Sequence, residues 1–320
     1  MKIRAISLGV ASVVALAGVH ATFCAAAPLQ PKVVSAKAIW VLHLDVDALT
    51  ATPLWHSLQG MLLKNSRLQA RLREIQTVSG MKFPQDMHDI TVYGTAFKPR
   101  DGVAVVHAAT NQKRIVNALK TNSQYQRAQY GKFTLRHWTD HGHSRWGAYY
   151  NKNTIVIGQA KKPVERELDV LVGKSRPLAI GAPLLEGLKG DMVLYISGSE
   201  LNKLPTNDAR SPVIRQLRHV WMRLSDRGNS VYMRAQIVAI NAAAAKKINK
   251  TIQGFQSMLE LAAGPKSPPP VVWRARAVDG LTSHVAGNSV QVRWSIPNKL
   301  VEQAVRQRMA AKRHGGGGSH

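Results

Sequence analysis

The sequence predicts an α+β protein of two similar units, each an antiparallel sheet with helices packed on one face. Three observations predict it. Short segments alternate apolar and polar residues with period two and are joined by tight turns. Longer segments between them carry helix-start residues and apolar residues at helical spacing. The same order of strands, turns and helices occurs twice, which a duplicated unit explains. The boundaries follow: a leader at 1–27, units at 28–180 and 181–312, and a flexible glycine-rich tail at 313–320.

In the first unit, Trp40, Leu42, Leu44 and Val46 alternate with His43, Asp45 and Asp47, the pattern of a half-buried strand. Thr52-Pro53 then marks a helix start, with Thr as cap and Pro at the first helical position. Leu54, Leu58, Met61, Leu62, Leu68, Leu72 and Ile75 continue it at helical spacing. Ile90 to Phe97 and Val103 to His107 read as strands around the turn Lys98-Pro99-Arg100-Asp101-Gly102. A helix from Asn111 to Leu119 follows, then strands at Phe133 to His137, Trp146 to Tyr150 and Thr154 to Ile157, and a helix from Pro163 to Val172.

The second half repeats the plan. Met192 to Ile196 resembles the first strand, and Ser211-Pro212 starts a helix as Thr52-Pro53 does. A hairpin turns at Asp226-Arg227-Gly228-Asn229 and leads through Val231 to Val238 into a helix from Ala242 to Leu261. The repeat is closest at the ends. Asn153 to Ile157 aligns with Asn288 to Val292, and each precedes a Pro and a helix with Val-Glu, Val164-Glu165 and Val301-Glu302. Gly264 to Pro270 reads as a stiff extended connector, and Gly315 to His320 as a flexible linker.

The first residues read as a secretory signal: Lys2 and Arg4, an apolar run from Ala5 to Val19, then small residues. That run is short of the ~20 residues a spanning helix needs, so cleavage is expected. The cut falls after Ala21 or within Cys24 to Ala27. Phe23 is too large for the position before a lipid-bearing Cys24. The mature chain is therefore expected in the periplasm or outside the cell, with no transmembrane span.

Cys24 is the only cysteine, which excludes an internal disulfide, thiolate catalysis and cysteine metal sites from the mature body. Lys plus Arg number 44 against 18 acidic residues, a net charge of +26. Residues 28–180 hold 22 basic and 10 acidic residues and residues 181–314 hold 20 and 8, so the excess is spread evenly and is not a tail. Such a field concentrates polyanions. In an envelope these are anionic polymers and lipid head groups; no motif for specific nucleic acid recognition is present.

Two side-chain sets carry metal-type chemistry. His43, Asp45 and Asp47 share one face of a period-two strand, where an imidazole and two carboxylates can hold a divalent ion or move protons. His137, Asp140, His141 and His143 form the densest ligand cluster, with Gly142 allowing a tight loop. Ordinary readings compete with both, a capping and ion-paired strand face for the first and a polar hairpin loop for the second. Ser197-Gly198-Ser199 and Gly158 to Lys162 match neither a nucleophile elbow nor a phosphate loop. No cofactor motif is found. Arg218 and Trp221 can touch if they share a helix, while Trp273 and Arg274 with Arg276 point apart on a strand.

The segments Trp40 to Asp47, Ile90 to Gly94, Tyr130-Gly131-Lys132, His137-Trp138 and Val292 to Pro297 resemble uncharacterised exported bacterial proteins of planctomycetes and some proteobacteria. That resemblance implies export and a duplicated α+β body, and no activity. The sequence thus points to a non-enzymatic envelope or secreted protein that binds anionic partners. The alternative is a metal-binding protein or metal-dependent hydrolase using the loop of His137, His141 and His143.

Overall fold

The computed structural model describes residues 28–98, 100–204, 213–262 and 278–314. The leader with its cleavage registers, the Ser211-Pro212 helix start, the 264–270 connector, Trp273 with Arg274 and Arg276, and the 315–320 tail lie outside them. The chain forms two compact units, Met1–Ala51 with Gln59–Ser199, and Thr52–Leu58 with Glu200–His320.

The first unit is an antiparallel sheet of β1 (Trp40–Asp45), β2 (Met87–Gly94), β3 (Val103–Ala108), β4 (Gln126–Tyr130), β5 (Phe133–Asp140), β6 (His143–Asn151), β7 (Thr154–Gly158) and β8 (Leu194–Ser199). Their order is β8-β1-β2-β3-β7-β6-β5-β4. The boundary falls after Ser199 and not at 180 because β8 is a partner of β1, with Leu42 opposite Ile196. The first α-helical segments are α1 (Val46–Thr50), α2 (Pro53–Leu62) and α3 (Ser66–Ser79), followed by α4 (Gln112–Lys120) and α5 (Lys161–Leu171). The single helix expected from Pro53 onward is two, because Asn65 caps a new one, its side-chain oxygen accepting from the Leu68 N–H at 3.1 Å. At the start of α2, Thr52 Oγ1 accepts from the Trp55 N–H at 3.1 Å.

Helices cover both faces of this sheet, where the alternation in β1 suggested one. On one face Leu44 and Ile90 join a core that Ile75 of α3 packs against. On the other, Tyr93 donates its hydroxyl hydrogen to Glu167 of α5. Ile90 and Tyr93 differ in parity along β2 and so point to opposite sides. Both sides of β1 to β3 carry apolar residues, and each must be covered.

The second unit contains β9 (Leu217–Arg227), β10 (Ser230–Ala239), β11 (Thr282–Ala286) and β12 (Ser289–Pro297), in the order β11-β12-β10-β9. Helix α6 (Ala242–Ala262) packs Ala244, Ala245 and Ile248 with Ala239, Val290 and Val292, and α7 (Asn298–His314) ends the described chain. Residues 217–227, expected to continue a helix, are a strand whose Val220, Met222 and Leu224 lie opposite Ile237, Ala235 and Met233. Arg218 and Trp221 therefore lie on a strand whose register shifts at Arg218, and form no pair of the helical kind.

The connectivity β2-β3-β7-β6 in the first unit is matched by β9-β10-β12-β11 in the second. The match extends to single hydrogen bonds. The Ala108 N–H donates to the Asn153 carbonyl at 2.9 Å, and the Ala239 N–H to the Asn288 carbonyl at 2.9 Å. Both alanines are buried, and each precedes a helix capped by an asparagine, Asn111 for α4 and Asn241 for α6. The first unit differs in its additional hairpin, β4 and β5, and in β1 and β8. Among the described residues no helix is long and apolar enough to cross a membrane.

One glycine in the first unit has no substitute. A Cβ on Gly94 would lie 2.5 Å from Nε1 of Trp40, whose indole N–H is fixed by the Ala96 carbonyl at 3.1 Å. We expect Gly94→Ala to destabilise the protein by about 1–3 kcal/mol, as overpacking does. A denaturant midpoint equal to that of the wild type would show that Trp40 is free to move.

Candidate functional site

The two faces of the first sheet are closed to different degrees. Alternation puts Leu135 of β5 and Val156 of β7 on the α5 side, and both are fully buried, as are Val164 and Leu168 of α5. Three tyrosines hold this helix down. Tyr93 donates to Glu167, Tyr130 to Asp169 Oδ2 at 2.7 Å, and Tyr150 to the Leu171 carbonyl at 2.9 Å.

The intervening residues face α3 and α4 and enclose a half-open pocket. Its floor is Trp138 of β5, Tyr149 of β6 and Ile155 with Ile157 of β7. Its roof is Ile75 and Val78, one helical step apart on α3, with Ile115 and Leu119 four residues apart on α4. These eight side chains are only half-buried. The helices are bridged to each other at one end, where the Asn111 N–H donates to the Ser79 carbonyl at 2.7 Å. The empty space between these side chains, open solvent at the mouth included, comes to about 720 Å³. Gly147 helps make the room. It has no side chain, and the ring of Trp138 lies within 3.1 Å of where a Cβ would be.

Arg136 brings the only charge into this lining. Its Nη1 donates to the Thr134 carbonyl at 3.1 Å, and its guanidinium lies 5.8 Å from the centre of the Tyr149 ring. Its Nε is buried and makes no hydrogen bond. Burial also raises the Tyr149 hydroxyl above its ordinary range, so the phenol stays neutral.

The residues expected to carry metal chemistry are distributed otherwise. His43 is buried, with Nδ1 2.9 Å from Thr91 Oγ1. Asp45 is buried as the cap of α1 and accepts from the Ala48 N–H at 2.7 Å. Asp47 lies within α1 and pairs with His88 Nδ1 at 3.0 Å. The shared solvated face expected of these three is absent, because β1 is covered on both sides and ends at Asp45. In the hairpin of β5 and β6, His137 Nε2 lies 3.0 Å from Ser144 Oγ and its ring 4.9 Å from that of Trp146. Asp140 is buried and points to the face opposite His137, while His141 and His143 are exposed at the turn. Burial raises the Asp140 carboxyl, against the pull of His141, Arg145 and His143. Among the described residues, no group of three or more His, Cys, Asp or Glu is placed to hold a metal ion.

Two contacts escaped the sequence reading. His107 Nδ1 sits 2.9 Å from both oxygens of Asp89, and His88 pairs with Asp47. Each joins residues on different elements: the strand register sets Asp89 opposite His107, and α1 brings Asp47 to His88 of β2. The apolar pocket escaped for the same reason.

No protein-family model matches the chain, and no curated protein matches it. Among solved structures it is similar to crystal forms III, I and IV of TP0453, a bacterial protein. Form III has a TM-score of 0.47 at 11% identity over 87% of this chain and 98% of that one. Form I has 0.45 at 14% over 87% and 97%, and form IV 0.49 at 11% over 88% and 97%. At such scores nothing about ligand or activity carries over.

Glu167 has the most perturbed carboxyl of the first unit and still does not make a catalytic site, because it is fully buried. Burial pushes it up to about 8, against the Tyr93 hydrogen bond and the charge of Arg166, which lower it. Unfolded, the group ionises near its ordinary 4.5. Between these values the native state keeps a proton that the unfolded chain has lost, so stability falls as pH rises from about 4.5 to 8. We expect Glu167→Gln, which keeps an acceptor for Tyr93, to flatten that fall and to be the more stable protein at pH 8.5 by on the order of a few kcal/mol. Parallel pH–stability curves for the two proteins would contradict this.

Proposed function

We propose that the protein is exported, is not an enzyme, and binds anionic partners of the cell envelope through a cationic surface on α3 and α4. The observation that carries the reading is the outer face of these two helices. Arg67, Arg71 and Arg73 of α3 and Lys113, Arg114 and Lys120 of α4 are all exposed, and Glu74 is the only acidic residue in either helix. Arg67 and Arg71 are four residues apart on one face, an arrangement that mildly destabilises an isolated helix. Crowded cations of this kind are relieved by an anionic partner.

The chain-wide charge of +26 adds long-range attraction. Export is supported by the leader composition at 1–27, with Lys2 and Arg4, an apolar run from Ala5 to Val19 and then small residues. His43, Asp45 and Asp47 are each engaged within the fold, by Thr91, the Ala48 N–H and His88.

The test is retention on a sulfated-polysaccharide resin and on vesicles rich in anionic lipid. We expect binding at low ionic strength that is lost near 1 M salt, where the screening length falls to about 3 Å. Reversing three charges, Arg67→Glu, Arg71→Glu and Lys113→Glu, should release the protein at clearly lower salt while its thermal midpoint is kept. Retention unaffected by both salt and charge reversal would refute the proposal.

A further inference from the structure

We propose that the pocket between α3, α4 and the sheet of the first unit is a binding site for one fatty carboxylate, its acyl chain on the apolar walls and its carboxylate on Arg136. The site lies beneath the cationic surface and does not depend on that surface having a partner.

The walls decide the first half of the ligand. Ile75 and Val78 above, and Ile155 and Ile157 below, offer no hydrogen bond, so a sugar, nucleotide or peptide would lose its water there without replacement. An alkyl chain loses nothing polar and gains contact with side chains that are otherwise half-wet. Trp138 and Gly147 shape the floor: the far edge of the indole occupies the space the glycine leaves, and a larger residue at 147 would collide with it.

Arg136 decides the other half. The lining contains no Asp or Glu, so an anionic group meets one cation and no opposing charge. Thr134 and the Tyr149 ring hold the guanidinium, and its buried Nε lacks an acceptor. A carboxylate matches the planar edge of a guanidinium with two parallel hydrogen bonds. One cation and one pocket fit a single-chain acid and not a two-chain phospholipid.

The probe is laurate below its micelle concentration, titrated into the delipidated full chain by calorimetry and checked by native mass spectrometry. We expect one laurate per chain. Leu119→Trp fills the pocket from α4 and should abolish binding; Ile115→Trp, one turn away, is the second blocking variant. Arg136→Gln should weaken laurate by about tenfold or more, as loss of a charge-assisted hydrogen bond does, and leave dodecanol binding unchanged. Thermal midpoints near that of the wild type establish that each variant is folded.

No saturable laurate binding by the wild type overturns the proposal. So does binding undiminished in both tryptophan variants, equal loss of laurate and dodecanol in Arg136→Gln, or uptake of phosphatidylglycerol from vesicles with none of laurate.

Discussion

The hydroxyls of Tyr93, Tyr130 and Tyr150, reaching from β2, β4 and β6, fasten α5 to one side of the first sheet. With that side closed by Val164 and Leu168, and the far side closed beside β1 and β2 by the core of Leu44, Val46, Met81 and Ile90, the unit is secured without the part of the face that lies over β5 to β7. The helices α3 and α4 are then at liberty to cover their face incompletely, and the eight half-buried side chains of the pocket are the consequence. The buried Glu167 belongs to the same closed side, where its raised ionisation is the electrostatic cost of a dry, tyrosine-bonded contact.

The two helices over the open side are chemically two-faced. In α4 the sequence Gln-Lys-Arg-Ile-Val-Asn-Ala-Leu-Lys divides by face: Ile115 and Leu119 line the pocket, while Lys113, Arg114 and Lys120 face water. The same holds for Ile75 and Val78 of α3 against Arg67, Arg71 and Arg73. A cationic exterior over an apolar interior attracts an anionic amphiphile by its head and retains it by its chain, so the two proposed activities need no common residue and remain separable by mutation.

Much of the fold is legible in the sequence because short-range chemistry writes it. The turn before Thr154 and the turn before Ser289 were visible as a repeat, and the structure joins them to Ala108 and Ala239 by the same hydrogen bond. The Ala242 helix and the hairpin at Asp226 to Asn229 were visible too. Residues 217–227 were not, since Leu217, Val220 and Leu224 fit a helical spacing and break strict alternation, and only pairing with β10, with its register shift at Arg218, selects the strand. His43 and Asp45 read as a wet face because polar residues in alternation usually are; their burial is imposed by strands and helices distant in sequence. The pocket was illegible for a similar reason. Nothing local marks Gly147 as the partner of Trp138, or Arg136 as the one charge among isoleucines.

The central claim is that α3 and α4 cover their face loosely until an acyl chain completes it. Hydrogen exchange on the full chain with and without laurate measures this directly. The account predicts that the amides of α3 and α4 exchange faster than those of α5 in the free protein and slow when laurate is added, with α5 unchanged. Equal protection of the three helices before addition, or no slowing of α3 and α4 after it, would contradict the account.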